Sequence, residues 1–228
     1  MFYELLSLDV DYRRRSPSAP SEEEYLARFP DWAATIRRVM NESRGESLVG
    51  TVVADRYAVE RELGAGSFGK VYLAHDQKLD RRVALKVGQR HSRNLQMLEP
   101  RVAAQFEHDH IVKIHDVNQL EDGRLTIISQ YIDGQTLKAR MAFFQRRPHQ
   151  SAQLIAKVAR ALHYAHQKLV YHRDVTPSNI LIDAEGRPYL TDFGLAAREG
   201  DFETPGHIAG TPAYMSPEQA NGEVHLVD

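Results

Sequence analysis

Apolar positions along this chain recur in more than one rhythm, and the rhythm changes twice. Phe2, Leu5, Leu6 and Leu8 fall on roughly one helical face, followed by the charged run Asp11 to Arg15. Ser16-Pro17-Ser18-Ala19-Pro20 then breaks the pattern. Ser21 and Glu24 have capping-box spacing, and Tyr25, Leu26, Phe29, Trp32, Ile36 and Val39 follow with helical periodicity. Pro30 lacks an amide hydrogen and restricts Phe29, which predicts a split in this second helix. Residues 1–47 therefore read as a helical N-terminal extension. Arg13 to Arg15 admits two readings, a docking patch or a solvated helix end.

From Tyr57 to about Asp133 the pattern is mainly that of strands, interrupted by one helix. From Thr136 onward it becomes mainly helical, with a short hairpin at Asp183-Ala184-Glu185-Gly186. Strands first and helices later predict an α+β protein of two lobes, with boundaries at 48–133 and 134–228. There is no internal repeat and no low-complexity tract.

Composition narrows the partners. The 228 residues carry 29 Lys+Arg against 31 Asp+Glu, so no overall field favours nucleic acid or an anionic membrane. Cys is absent, which excludes disulfides and thiolate metal sites and fits a reducing cytoplasm. No apolar run is long enough to span a bilayer, and the start is too charged for a signal peptide.

Gly64-Ala65-Gly66-Ser67-Phe68-Gly69 is a G-x-G-x-x-G. The same spacing occurs in dinucleotide-binding turns, but those open a helix. Here Lys70-Val71-Tyr72-Leu73-Ala74 is β-rich, so the glycines belong in a hairpin whose first strand is Tyr57 to Leu63. Glycines there let backbone amides approach phosphate oxygens; a plain hairpin turn is the alternative. Val83-Ala84-Leu85-Lys86-Val87 places a lysine in an otherwise apolar strand. Burying a charge without a partner is costly, so Lys86 needs anions, a carboxylate and, when loaded, phosphate, unless the lysine simply faces solvent from an edge.

Tyr171-His172-Arg173-Asp174-Val175-Thr176-Pro177-Ser178-Asn179 is followed by Thr191-Asp192-Phe193-Gly194, and then by Gly210-Thr211-Pro212-Ala213-Tyr214-Met215-Ser216-Pro217-Glu218. These motifs resemble, in type and order, those of the bacterial eukaryotic-like serine/threonine protein kinases. The resemblance runs from about Tyr57 to Asp228 and implies a bilobal protein-kinase fold with an incomplete C-lobe. It implies ATP and Mg²⁺ as cofactors and protein substrates as partners, with self-association for autophosphorylation. Asp174 would orient the substrate hydroxyl, Asn179 and Asp192 would hold Mg²⁺, and Lys86 the α/β-phosphates. The Gly64–Gly69 amides would cover the phosphates. Arg173 would read a phosphorylated activation loop, and Thr204 is the one hydroxyl between Gly194 and Gly210. Leu63, Val71, Ala84 and Leu181 would sandwich adenine, Gln130 and Ile132 would offer hinge groups, and Ser129 would line the back wall. Gly210-Thr211-x-x-Tyr214 resembles the substrate-facing loop of Ser/Thr rather than Tyr kinases.

Four features depart from that pattern. Glu99 aligns as the helix carboxylate for Lys86, with Leu95, Leu98, Val102 and Phe106 on a helix face, but Pro100 follows it directly. That predicts a helix starting near Glu99. Thr176 stands where Lys is usual. Leu169 stands where Gly is common, and strain of roughly 1 kcal/mol follows if that turn needs positive φ. Relatives continue into further helices after the position of Glu218. The helix bearing Leu154, Ile155, Val158, Ala161 and Leu162 is then expected to expose part of its apolar face, and Glu218 to lack its usual arginine.

Histidines at 108, 110 and 115, or at 163, 166 and 172, could be read as metal clusters. The kinase pattern already accounts for each of them, and no fixed third ligand is evident. The leading functional reading is a Ser/Thr protein kinase. The alternatives are a weak or inactive kinase-like module binding ATP or another protein, and a docking function lodged in residues 1–47.

Overall fold

The computed structural model describes residues 6, 9–10, 21–43, 47–66, 69–88, 105–120, 122–193, 197–198 and 210–223. The helix face predicted at Leu95–Val102, the Glu99–Pro100 pair, Ser67, Phe68 and Thr204 lie outside these residues. The chain divides into two compact units: residues 1–93 with 118–126, and residues 94–117 with 127–228.

In the first unit, Leu6, Asp9 and Val10 are helical, and helix α1 (Glu22–Arg28) is capped as predicted by Ser21, whose Oγ accepts from Glu24 N at 3.1 Å. Phe29 leaves the helical region at φ −137°, ψ 64°, and Pro30–Trp32 forms a single 3-10 turn before α2 (Ala33–Ser43). Pro30 thus splits the helix where its missing amide demands. Tyr25, Ile36, Val39 and Met40 pack with Leu6 and Val10 into a small core, and Tyr25 donates its hydroxyl to Asp9 at 2.6 Å. Trp32 departs from the predicted face: the 3-10 turn rotates it outward, and it is exposed.

Strands β1 (Val52–Val53), β2 (Tyr57–Gly66), β3 (Gly69–Asp76), β4 (Arg81–Val87), β5 (Ile114–Gln119) and β6 (Leu125–Gln130) form one sheet of order β1-β2-β3-β4-β6-β5. In β4 the alternation is strict: Val83, Leu85 and Val87 are buried, while Ala84 and Lys86 are half-buried. The β3–β4 turn is pinned by Asp76, whose carboxylate accepts two bonds from Arg56, at 2.7 and 2.8 Å.

The second unit is built on α4 (Pro148–His166), preceded by β7 (Gly134–Thr136) and the short α3 (Met141–Gln145). Leu154, Val158, Ala161 and Ala165 form the buried face of α4 and pack with Phe144, Ile180 and Leu190 among others. The opposite side leaves Ile155 exposed, as expected for this helix. Short strands then recur where helix was predicted to dominate. These are β8 (Val170–Tyr171), β9 (Ile180–Asp183), β10 (Pro188–Leu190) and β11 (Ala197–Arg198), followed by α5 (Pro217–Ala220). The predicted hairpin at 183–186 joins β9 to β10, Asp183 Oδ1 accepting from Arg187 N at 2.8 Å. The overall class is the predicted α+β one, a β-rich unit and a helix-based unit. Among the described residues no helix is long and apolar enough to cross a membrane.

Candidate active site

In the first unit the glycine motif is the tip of a β-hairpin, with Gly66 opposite Gly69. The first strand runs three residues beyond Leu63, because Gly64 pairs with Val71 and Ala65 with Lys70. Register breaks between Glu62 and Gly64, which leaves exposed Leu63 as the extra residue of a bulge. Val71 is also opposite Lys86, and Leu73 is opposite Ala84. Directly opposed residues share a sheet face, so Gly64, Val71, Lys86 and Ala84 line one face while Val83, Leu85 and Val87 are buried on the other.

The glycines are glycine for different reasons. Gly69 sits at φ +129°, and a Cβ there would collide with the Val87 carbonyl oxygen, so the fold itself demands glycine. Around Gly64 a Cβ would meet no atom of the described residues within 4 Å. Its backbone is left accessible from outside by the missing side chain, which suits the approach of a phosphate.

The residues expected at the hinge and pocket floor belong to the second unit. Gln130 closes β6 with its N–H donated to Lys113 O at 2.8 Å, and Ile132 follows in the link to β7. Leu181 is opposite Tyr189 and Thr136, on the face of β9 turned away from buried Ile180 and Ile182.

The catalytic-loop motif lies between β8 and β9. His172 is buried; its Nε2 faces the Thr191 carbonyl at 2.9 Å, and its Nδ1 accepts from Asp174 N at 3.3 Å. A carbonyl only accepts and an N–H only donates, so these partners define a neutral imidazole protonated on Nε2. Burial pushes the His172 pKa below its usual value, outweighing the opposing pull of the Thr191 carbonyl and of Asp192 and Asp174.

Asp174 is nearly buried, and its carboxylate is held from two sides. Oδ1 accepts from Thr211 Oγ1 at 2.7 Å and Thr211 N at 3.0 Å, and Oδ2 accepts from Asn179 Nδ2 at 2.9 Å. Asn179 Nδ2 also donates to the Asp174 carbonyl at 2.8 Å. With its NH₂ committed, Asn179 keeps Oδ1 as an oxygen donor of the kind a hard divalent cation takes. Asn179 N bonds the Thr176 carbonyl and Thr191 N bonds the Asn179 carbonyl, both at 3.0 Å, which ties the loop to the segment carrying Asp192.

Among the described residues, three of the six non-glycine positions with positive φ fall in or beside this loop. Leu169, Arg173 and Asp192 have φ of 57°, 59° and 70°. None is glycine, and such left-handed residues concentrate at functional sites. The Leu169 turn is therefore of the positive-φ kind. Arg173 is further fixed by Gln219 Nε2, which donates to its carbonyl at 2.6 Å. Gly210, at φ +126°, fits beneath this contact: a Cβ would stand 2.7 Å from Gln219 Nε2 and 2.9 Å from Arg173 O. Gln219 is absent from the predicted site because its partner is 46 residues away and no local pattern signals it. Among the described residues no group of three or more His, Asp or Glu is placed to hold a metal, histidine clusters included.

The profile of the protein kinase domain matches residues 57–226, a span that contains both the glycine hairpin and the Asp174 loop. The chain belongs to the protein kinase family. The kinase domain is 38% identical over 190 residues to the serine/threonine-protein kinase PknJ of Mycobacterium tuberculosis, covering 78% of this chain and 32% of PknJ. It is 34% identical over 184 residues to the serine/threonine-protein kinase PrkC of Bacillus subtilis, covering 77% of this chain and 28% of PrkC. To the DNA damage-responsive serine/threonine-protein kinase RqkA of Deinococcus radiodurans it is 36% identical over 184 residues, 76% of this chain and 27% of RqkA. The chain spans about a third or less of the length of these relatives.

Proposed function

We propose that this chain is the catalytic portion of a serine/threonine protein kinase that uses ATP and Mg²⁺ and phosphorylates protein hydroxyls, its own included. The observation that carries this is the nearly buried Asp174 carboxylate, held by Thr211 and Asn179 through three donors. A fixed carboxylate with limited solvent access can align a substrate hydroxyl and receive its proton as phosphoryl transfer proceeds. Thr211 belongs to the Gly210-Thr211-x-x-Tyr214 loop, so the segment that would meet a Ser/Thr acceptor also positions the carboxylate.

The remaining assignments follow the sequence reading. Residues 48–133 form the N-lobe and 134–228 the C-lobe portion. Lys86 binds the α/β-phosphates on the sheet face it shares with Val71 and Gly64. The amides from Gly64 to Gly69 cover the phosphates, and the missing Cβ at Gly64 keeps that approach open. The adenine-contacting residues of this reading are Leu63, Val71 and Ala84 in the first unit and Leu181 in the second, with Gln130 and Ile132 as hinge groups. Asn179 and Asp192 hold Mg²⁺, which when bound neutralises the charge developing on the transferred phosphoryl group. Arg173 reads a phosphate on the activation loop. The compartment is the cytoplasm.

A second reading, a weak or inactive module that binds ATP or protein, is favoured by the strained Leu169 turn and by Thr176 in place of lysine. Labelled ATP with Mg²⁺ separates the two. Label on Ser/Thr that disappears in both Asp174→Ala and Asp192→Asn supports the enzyme. Nucleotide-dependent thermal stabilisation without label supports the module.

A further inference from the structure

The distribution of charge in the second unit sets one stretch apart. Residues 134–173 hold eight Lys or Arg and no Asp or Glu, although at this chain's average density about five acidic residues would fall there. The asymmetry is local, since the whole chain has net charge −2. Arg173 apart, it is also little relieved in space. Elsewhere the described basic residues commonly find carboxylates: Arg56 and Arg81 at Asp76, Arg124 at Asp122, Arg187 at Asp183. Among the described residues, Lys138, Arg140, Arg146 and Arg147, around α3, have no carboxylate within 4 Å. The same holds for Lys157, Arg160 and Lys168, in and after α4. Lys138, Arg146, Arg147, Arg160 and Lys168 are exposed.

Two of these cations are already held in place. The Arg147 guanidinium stands 3.9 Å from the ring centre of Phe143, and that of Arg140 stands 4.8 Å from the same ring. Arg147 also donates Nη1 to the Phe143 carbonyl at 3.1 Å. Stacking restrains the long side chains and leaves guanidinium edges for a ligand, which lowers the ordering cost of binding a planar anion. Exposed Met141 and Phe143 lie in the same helix and add apolar contact area.

We propose that this face docks an acidic, partly apolar peptide segment of a protein partner, with carboxylates on the Arg146–Arg147 turn and apolar side chains against Met141 and Phe143. Guanidiniums pair carboxylates bidentately, which suits Asp and Glu side chains. Nucleic acid fits less well: Phe143 already stacks with arginine, and the chain has no net positive field to draw in a polyanion. The stretch also leads directly into Arg173–Asp174 in the same unit, so a docked segment would belong to a phosphoacceptor protein. The phosphoacceptor role of the partner rests on the kinase reading; the docking of an acidic segment does not.

The test is fluorescence anisotropy with the full chain and no nucleotide. The probes are a labelled peptide alternating Glu with Leu, its Gln counterpart, and a single-stranded oligonucleotide of equal charge. The Glu peptide is expected to bind at least about tenfold tighter than the Gln peptide and to weaken several-fold from roughly 50 to 300 mM salt. Arg146→Glu/Arg147→Glu is expected to lose about tenfold or more, and Asp174→Ala to bind unchanged. Should the double variant fail to fold, judged by circular dichroism, Arg147→Gln with Lys138→Gln carries the same expectation at smaller amplitude. Equal binding of the Glu and Gln peptides, unchanged binding by the folded variants, or tighter binding of the oligonucleotide would overturn the proposal. Because Asp174→Ala is read for binding alone, failure of the kinase reading leaves this outcome intact.

Discussion

The hairpin from Gly64 to Gly69 and the loop from His172 to Asn179 are both polar tips set on strands, yet they are built from opposite resources. The hairpin depends on side chains that are absent: Gly69 makes room for the Val87 carbonyl, and Gly64 leaves its backbone open. The loop depends on side chains that are committed: His172 to Thr191, Asn179 and Thr211 to Asp174, Gln219 to Arg173. A site that must pass a mobile phosphate chain gains from bare backbone, whereas one that must aim a single carboxylate gains from cross-bracing.

Substitutions can break that contrast in order of expected effect. Asp174→Ala removes the group that the bracing serves, so phosphoryl transfer should fall by about 10³-fold or more while ATP-dependent thermal stabilisation persists. The two glycines should then diverge. Gly69→Ala meets a backbone carbonyl at positive φ and is expected to cost about 2 kcal/mol or more in denaturant unfolding. Gly64→Ala should change stability by less than roughly 0.5 kcal/mol but weaken ATP binding, read by titration calorimetry. Equal losses from both would mean that Gly64 serves the fold alone.

Smaller effects sharpen the loop half of the comparison. Thr211→Val deletes one charge-assisted bond to Asp174 and should lower kcat roughly tenfold with little change in KM for ATP. His172 has a folded pKa below its ordinary 6.5, so the unfolded chain takes up a proton first as pH falls. Its contribution to stability is complete above about 6.5 and declines below it. His172→Gln should flatten that part of a Tm–pH curve. Leu169→Gly should be the mildest, a gain of about 0.5 kcal/mol in unfolding experiments as the φ of 57° loses its Cβ penalty.

Much of this was legible in the sequence where the cause is local. The cap at Ser21, the break at Pro30, the hairpin placement of the glycines and the alternation around Lys86 all follow from short-range rules. Leu169 was legible as a misfit, because only a left-handed turn makes leucine there worth noticing. Trp32 was misread, since a single 3-10 turn shifts the phase that helical periodicity assumes. Strands β8 and β11 escaped the pattern because two residues give no period to detect, whereas the turn at Asp183–Gly186 announced β9 and β10. Gln219 escaped as well: its bond to Arg173 is a product of the fold, not of its neighbours.

The small core between α1 and α2 has a further implication. Among the described residues, every buried member of that cluster falls between Leu6 and Met40, before β1 begins. Exchange of this segment for another would cut the chain near Ser47 to Thr51 without dividing the cluster. Among the described residues the helical pair thus closes a core of its own before the sheet begins.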